Sequence, residues 1–243
     1  GWRWCGRRCG GGGGDDADGS VDGDVVTHPG MTRMDEPGPE LLEWLVDPAD
    51  LTTLEDLHGE HTTGAVHRAL YCGLEVAVKV LATAGDLPGA AKSRLGAETG
   101  VLANLEHPNI VELVGLQIDK HMVSLVMEWM ERGSLFSVLH TTQGSMGWHL
   151  RLSLAHDAAT GVHFLHSQTP PIIHRDLKSP NLLVNRDWVC KVTDFGFSRE
   201  LEAMAAANTR VGSPAWVAPE VIAGTPYAEK VDVYGFGIVL WEL

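Results

Sequence analysis

An α+β fold is predicted for this chain by strand-like and helix-like stretches that follow one another along it. Val76-Ala77-Val78-Lys79 is an apolar alternation that reads as a strand, and Leu125-Val126-Met127-Glu128-Trp129-Met130 closes a second one. Ala91 to Leu105 reads as a helix, Gly133-Ser134-Leu135 opens another, and His149 to His166 is a longer helix whose apolar residues recur at helical spacing.

Composition sets the frame. With 243 residues, 44% hydrophobic and 21% charged, the chain is globular overall and long enough for one or two cores. Its net charge of −14, from 32 acids against 18 Lys and Arg, argues against nucleic-acid binding, which requires a clustered basic face. Cys5, Cys9, Cys72 and Cys190 form no disulfide-rich pattern, so a reducing compartment and a cytoplasmic location are expected. No apolar run approaches the roughly 18 residues of a membrane span. Gly1-Trp2-Arg3-Trp4 has neither an initiating Met nor the apolar core of a signal peptide, and the chain reads as a fragment.

Residues 1–42 hold the run Gly10 to Gly14, an acid cluster from Asp15 to Asp24, and Pro37 and Pro39. Such a mix buries too little apolar area to offset its ordering entropy, and disorder is expected. The Cys5-x3-Cys9 pair has no second ligand pair at zinc spacing.

Three phrases carry the chemistry. His174-Arg175-Asp176-Leu177-Lys178-Ser179-Pro180-Asn181 is followed by Asp194-Phe195-Gly196 and then by Ala218-Pro219-Glu220. In this order and spacing they resemble the eukaryotic protein kinase family, from about Leu51 to the last residue. Lys178-Ser179-Pro180-Asn181, Phe195-Gly196-Phe197-Ser198-Arg199 and Gly212-Ser213-Pro214-Ala215-Trp216 look closest to its tyrosine-kinase-like group, with Raf-like and mixed-lineage members.

The resemblance implies a two-lobed fold over residues 51–243. A small antiparallel-sheet lobe with one main helix (51–127) leads through a hinge (128–130) to a mainly helical, incomplete large lobe (131–243). It also implies ATP and magnesium as cofactors. Phosphoryl transfer needs positioning and charge neutralisation more than covalent help. Asp176 is expected to accept the hydrogen bond of a substrate hydroxyl, with Asn181 and Asp194 as magnesium ligands and Lys79 as the clamp on the α- and β-phosphates. Lys178, two residues after Asp176, is the serine/threonine kinase pattern. Glu98, nine residues before His107-Pro108-Asn109-Ile110, is expected to pair with Lys79; the alternative is a solvated charge on an amphipathic helix.

For the nucleotide, Gly59 and Gly64 stand as outer glycines of the phosphate-covering loop, where backbone N–H groups approach the phosphates. His61 replaces the middle glycine and Thr63 an aromatic, which puts ATP affinity in question in either direction. Val66, Ala77 and Leu183 would sandwich the adenine, with Met127 as gatekeeper, and the Glu128 carbonyl and Met130 amide would pair with its edge. His58, His61 and His67 allow a metal reading but fit hairpin alternation better, and His163 and His166 fit a structural role. In the activation segment, Arg175 would pair with a phosphate on Thr209, while Ser213 would shape the substrate-facing loop.

The function expected is ATP-dependent phosphorylation of Ser or Thr in protein substrates, another kinase being one candidate; a pseudokinase or interaction module is the alternative. The oligomeric state is left open. The chain stops within a helix resembling the central helix of the large lobe, and the family partner of Glu220 is absent. An unpartnered buried carboxylate costs about 3–5 kcal/mol, so these residues alone are expected to be poorly stable or inactive.

Overall fold

Strand residues with β-branched side chains build the first half of the molecule in the computed structural model, which describes residues 44–57, 65–83, 105–118, 122–142, 146–195 and 215–243. Residues 1–42, Gly59, His61, Gly64, Glu98, Thr209, Ser213 and nearly all of the expected helix Ala91 to Leu105 lie outside the described residues. The strands are β1 (Leu51–Leu57), β2 (Val66–Tyr71), β3 (Leu74–Thr83), β4 (Leu113–Ile118) and β5 (Met122–Glu128). They form one antiparallel sheet in the order β1-β2-β3-β5-β4.

The two-residue turn Cys72-Gly73 joins β2 to β3, with φ of 49° and 79°. Positive φ at both positions matches the twist of a tight hairpin, and the glycine meets that demand without strain. The period of two then sorts β3. Val76 and Val78 are buried with Val46, Ala69 and Val126, whereas Ala77 and Lys79 lie on the opposite face. Val46 comes from the segment before β1, whose backbone pairs with Leu116 of β4 through bonds of 2.7 and 2.9 Å. Gly115 permits that approach, since a Cβ there would lie 2.5 Å from the Val46 side chain.

Helices dominate the second half: α1 (Leu135–Thr141), α2 (Trp148–His166), α3 (Pro219–Ile222) and α4 (Lys230–Glu242), with the small hairpin β6 (Leu182–Val184) and β7 (Cys190–Val192). Ser134 caps α1 by accepting from the Ser137 amide at 3.1 Å, which satisfies an orphan donor of the first turn. On α2, Leu154, Ala158, Val162 and Leu165 recur at helical spacing and are buried. They join Leu116 and Leu125 of the sheet, Leu182, Val184 and Val192 of the hairpin, and Val239 of α4 in one continuous core. The α+β architecture with a sheet half and a helical half is the one expected.

Asp232 of α4 organises the loop that follows α2. It is 1% exposed. Its Oδ2 accepts from the His174 amide at 2.8 Å and His166 Nε2 at 2.7 Å, and its Oδ1 accepts from the Arg175 amide at 2.8 Å. Three donors solvate a buried carboxylate that would otherwise be costly. One turn on, Gly235 lets α4 approach the same loop, because a Cβ there would lie 2.5 Å from the Leu177 carbonyl.

One expectation needs correction. Glu220 is half-buried, so water contributes to its solvation and the penalty of a buried, unpartnered carboxylate does not apply. Cys190 is a buried free cysteine whose thiol pKa is pushed far up, first by burial and then by Asp157. Ile222, Leu240 and Trp241 are exposed.

Two stability outcomes are expected. Asp232→Ala leaves the His174 and Arg175 amides buried without an acceptor and should cost roughly 3 kcal/mol in a denaturant titration. His107 accepts the Asn109 amide at Nδ1 (3.0 Å) and stacks on Phe164 with centroids 4.6 Å apart. Burial lowers its pKa, so the fold favours the neutral ring. A base with a depressed folded pKa supports stability above its ordinary pKa, near 6.5, and that support is lost as pH falls through this value. The melting temperature should therefore fall less between pH 7.5 and 5.5 in His107→Gln than in the parent; equal slopes would refute the assignment.

Candidate active site

The anchored loop presents a compact set of polar groups. His174 is fully buried; its Nε2 donates to the Thr193 carbonyl at 2.9 Å and its Nδ1 accepts the Asp176 amide at 3.3 Å. Phe195 meets the ring edge-on at 6.4 Å between centroids. Arg175 follows with φ of 69°, a left-handed conformation that a non-glycine residue holds only when its surroundings impose it. Here the Asp232 bonds to two successive amides supply that constraint.

Asp176, Lys178 and Asn181 converge at the mouth of this loop. Lys178 Nζ lies 2.7 Å from Asp176 Oδ2, and Asn181 Nδ2 donates to the same oxygen at 3.0 Å and to the Asp176 carbonyl at 2.8 Å. The Asn181 carbonyl accepts the Thr193 amide at 3.1 Å, tying the loop to the strand that leads to Asp194. Asp194 has φ of 64° and carries its carboxylate across to the sheet, where Oδ2 meets Lys79 Nζ at 2.6 Å.

Lys79 owes its position to β3. Its cross-strand partners are Val66 in β2 and Leu125 in β5, so all three side chains share one sheet face. Ala77, two residues earlier on that face, pairs with Met127. Leu125, Met127, Val111, Leu113 and Phe195 line a cleft that ends at Asp194. Leu183, half-buried, sits on β6, and Met130 is buried just after β5. Of the expected site residues, the structure thus brings together Lys79, Asp176, Lys178, Asn181 and Asp194, with Val66 and Ala77 on the Lys79 face. Lys79 pairs with Asp194 among the described residues; the expected partner Glu98 is not among them.

Several contributors escaped sequence reasoning. Glu242 bridges the loop to the segment before α3, accepting from Ser179 Oγ at 2.7 Å and Trp216 Nε1 at 3.0 Å. Lys191 of β7 reaches Glu128 at 2.6 and 2.8 Å. Asp232 and Glu242 did leave a signal, as acids within the otherwise apolar stretch Val231 to Leu243, where a carboxylate must find donors. Of the histidines considered as metal ligands, His67 instead meets Asp56 at 2.6 Å and His166 meets Asp232.

Two cations, three oxygen-bearing side chains and an apolar slot form a site suited to an anionic, planar ligand and a hard metal ion. Residues 53–243 match the family model described as protein kinase domain. The serine/threonine-protein kinase CTR1 of Arabidopsis thaliana is 42% identical over 197 residues, which is 80% of this chain and 24% of that protein. The probable serine/threonine-protein kinase SIS8 of Arabidopsis thaliana is 42% identical over 192 residues, 79% of this chain and 18% of that protein. The probable serine/threonine-protein kinase drkA of Dictyostelium discoideum is 41% identical over 184 residues, 76% of this chain and 28% of that protein. The chain therefore spans between 18% and 28% of the length of these relatives. With its three loop phrases in place, the site geometry they create and a family match over most of its length, the chain belongs to the protein kinase domain family, in the tyrosine-kinase-like group.

Proposed function

We propose that this domain moves the γ-phosphoryl group of ATP to Ser or Thr hydroxyls of protein substrates. The observation that carries the reading is the convergence of Asp176, Lys178 and Asn181 on one loop while Lys79 and Asp194 meet across the cleft. Asp176 Oδ2 is already occupied by two donors, which leaves Oδ1 to accept the substrate hydroxyl and aim it at phosphorus. Lys178, beside it, adds positive charge where the phosphoryl group passes and gives the serine/threonine pattern.

Lys79 is assigned to the α- and β-phosphates, paired also with Glu98, and Gly59 and Gly64 to the loop over them. Val66 and Ala77 above and Leu183 below would enclose the adenine, with its edge on the Glu128 carbonyl and Met130 amide. Asn181 and Asp194 fit a magnesium ion. Asn181 commits Nδ2 to Asp176 and keeps Oδ1, Asp194 keeps Oδ1 besides the oxygen at Lys79, and phosphates and water would complete the shell. When bound, the ion supplies charge neutralisation on the phosphates.

Arg175 fits regulation by phosphate. Among the described residues its Nε is buried without a hydrogen-bond partner, and a phosphate on Thr209 would provide one, with Ser213 shaping the substrate loop. The substrate is proposed to be a protein, another kinase being one candidate, and the setting cytoplasmic; no described helix is long and apolar enough to cross a membrane. The alternative of an interaction module without phosphotransfer gains nothing from a site in which these charged groups converge.

Magnesium-dependent transfer of labelled γ-phosphate to a general acceptor protein tests the proposal on the native full-length polypeptide. Asp176→Asn should lower turnover by about 10²–10⁴-fold with nucleotide binding kept within a few-fold. Silence of the folded parent protein would overturn the assignment.

A further inference from the structure

Glu128, the last residue of β5, is held from two directions. Its carboxylate accepts Lys191 Nζ at both oxygens, 2.6 and 2.8 Å, and the Glu112 amide at 2.8 Å, while its own amide donates to the Glu112 carbonyl at 3.0 Å. The pair is partly dry, with 15% of the Lys191 side chain and 25% of the Glu128 side chain exposed, so it is ordered more firmly than a surface ion pair.

Lys191 is placed to make this bond matter. It lies three residues before Asp194, and its cross-strand partner in the β6–β7 hairpin is Leu183. Partners in an antiparallel pair share a face, so Lys191 stands beside the residue assigned to the adenine floor and reaches from there to the hinge. Floor, hinge and metal-binding strand are thereby joined by one side chain.

We propose that Lys191 is a positioning residue for the nucleotide, holding the Glu128 segment in the place where its backbone meets the adenine. This rests on the proposed adenine site. The bridge also manages charge. Glu112, the charged neighbour of Glu128, has a raised pKa, first from burial, then from Glu128 and further from Glu106, while Lys191 acts in the opposite direction. Removing Lys191 leaves Glu106, Glu112 and Glu128 without that cation, and repulsion between Glu112 and Glu128 would push the hinge away from the start of β4.

The test is steady-state kinetics of the native full-length polypeptide at pH 8. Lys191→Met should raise the KM for ATP about tenfold with kcat within about threefold. Lys191→Arg should restore the parent value, and Glu128→Gln in the Lys191→Met background should raise the KM no further, since the two side chains form one bridge. An unchanged KM in Lys191→Met, or a loss confined to kcat, overturns the proposal. If Lys191→Met fails to fold by its melting curve, Glu128→Gln alone is decisive, since it should raise the KM several-fold at pH 8 and a parent-like KM overturns the inference. Met130→Pro reports separately on the adenine site: an unchanged KM there would refute the site itself, whatever Lys191 does.

Discussion

Everything in the site hangs on a single buried carboxylate. Asp232 takes three donors at 2.7 to 2.8 Å, two of them successive backbone amides of the loop that carries Asp176. Because the acid is 1% exposed, those bonds are its substitute for water, and the loop cannot leave without stranding a charge. Arg175 can then be held at a positive φ, and Asp176 projects from a rigid base. The close approach of Gly235 to Leu177 reinforces the same contact through shape.

From this base the polar network runs outward in both directions. Toward the sheet, the Asn181 carbonyl fixes the Thr193 amide, and Asp194 at a positive φ extends to Lys79. Toward the substrate side, Glu242 joins Ser179 to Trp216. Among the described residues two ion pairs join the halves of the molecule, Lys79 with Asp194 on the phosphate side of the cleft and Lys191 with Glu128 at the hinge. Both links are short ion pairs with limited exposure, a setting in which geometry is held more firmly than at an open surface. An acidic chain with few cations concentrates several of them here, at Lys79, Lys178 and Lys191.

Chemistry-bearing residues were legible because phosphoryl transfer demands particular groups in a particular order. Asp176, Lys178, Asn181 and Asp194 could be read from their phrases, and Lys79 from an apolar strand with one cation in it. Legibility failed where a residue's role depends on a distant partner. Glu128 was read for its carbonyl alone, and nothing in the local sequence marks Lys191, 63 residues later, as the cation that its carboxylate would meet. Glu220 was read as buried, and the structure places it half in water.

By itself the sequence determined the α+β class, the strand around Lys79, the family and the identity of the groups able to handle a phosphate. These follow from local periodicity and from motifs whose members are neighbours in the chain. Only the tertiary structure decided which oxygen meets which nitrogen: Asp194 with Lys79 across 115 positions, Asp232 with two amides of the loop, and Glu128 with Lys191. Such pairings arise from the packing of α4, β5 and β7 around a common core, and the ion pairs and hydrogen bonds form only after that packing has excluded water.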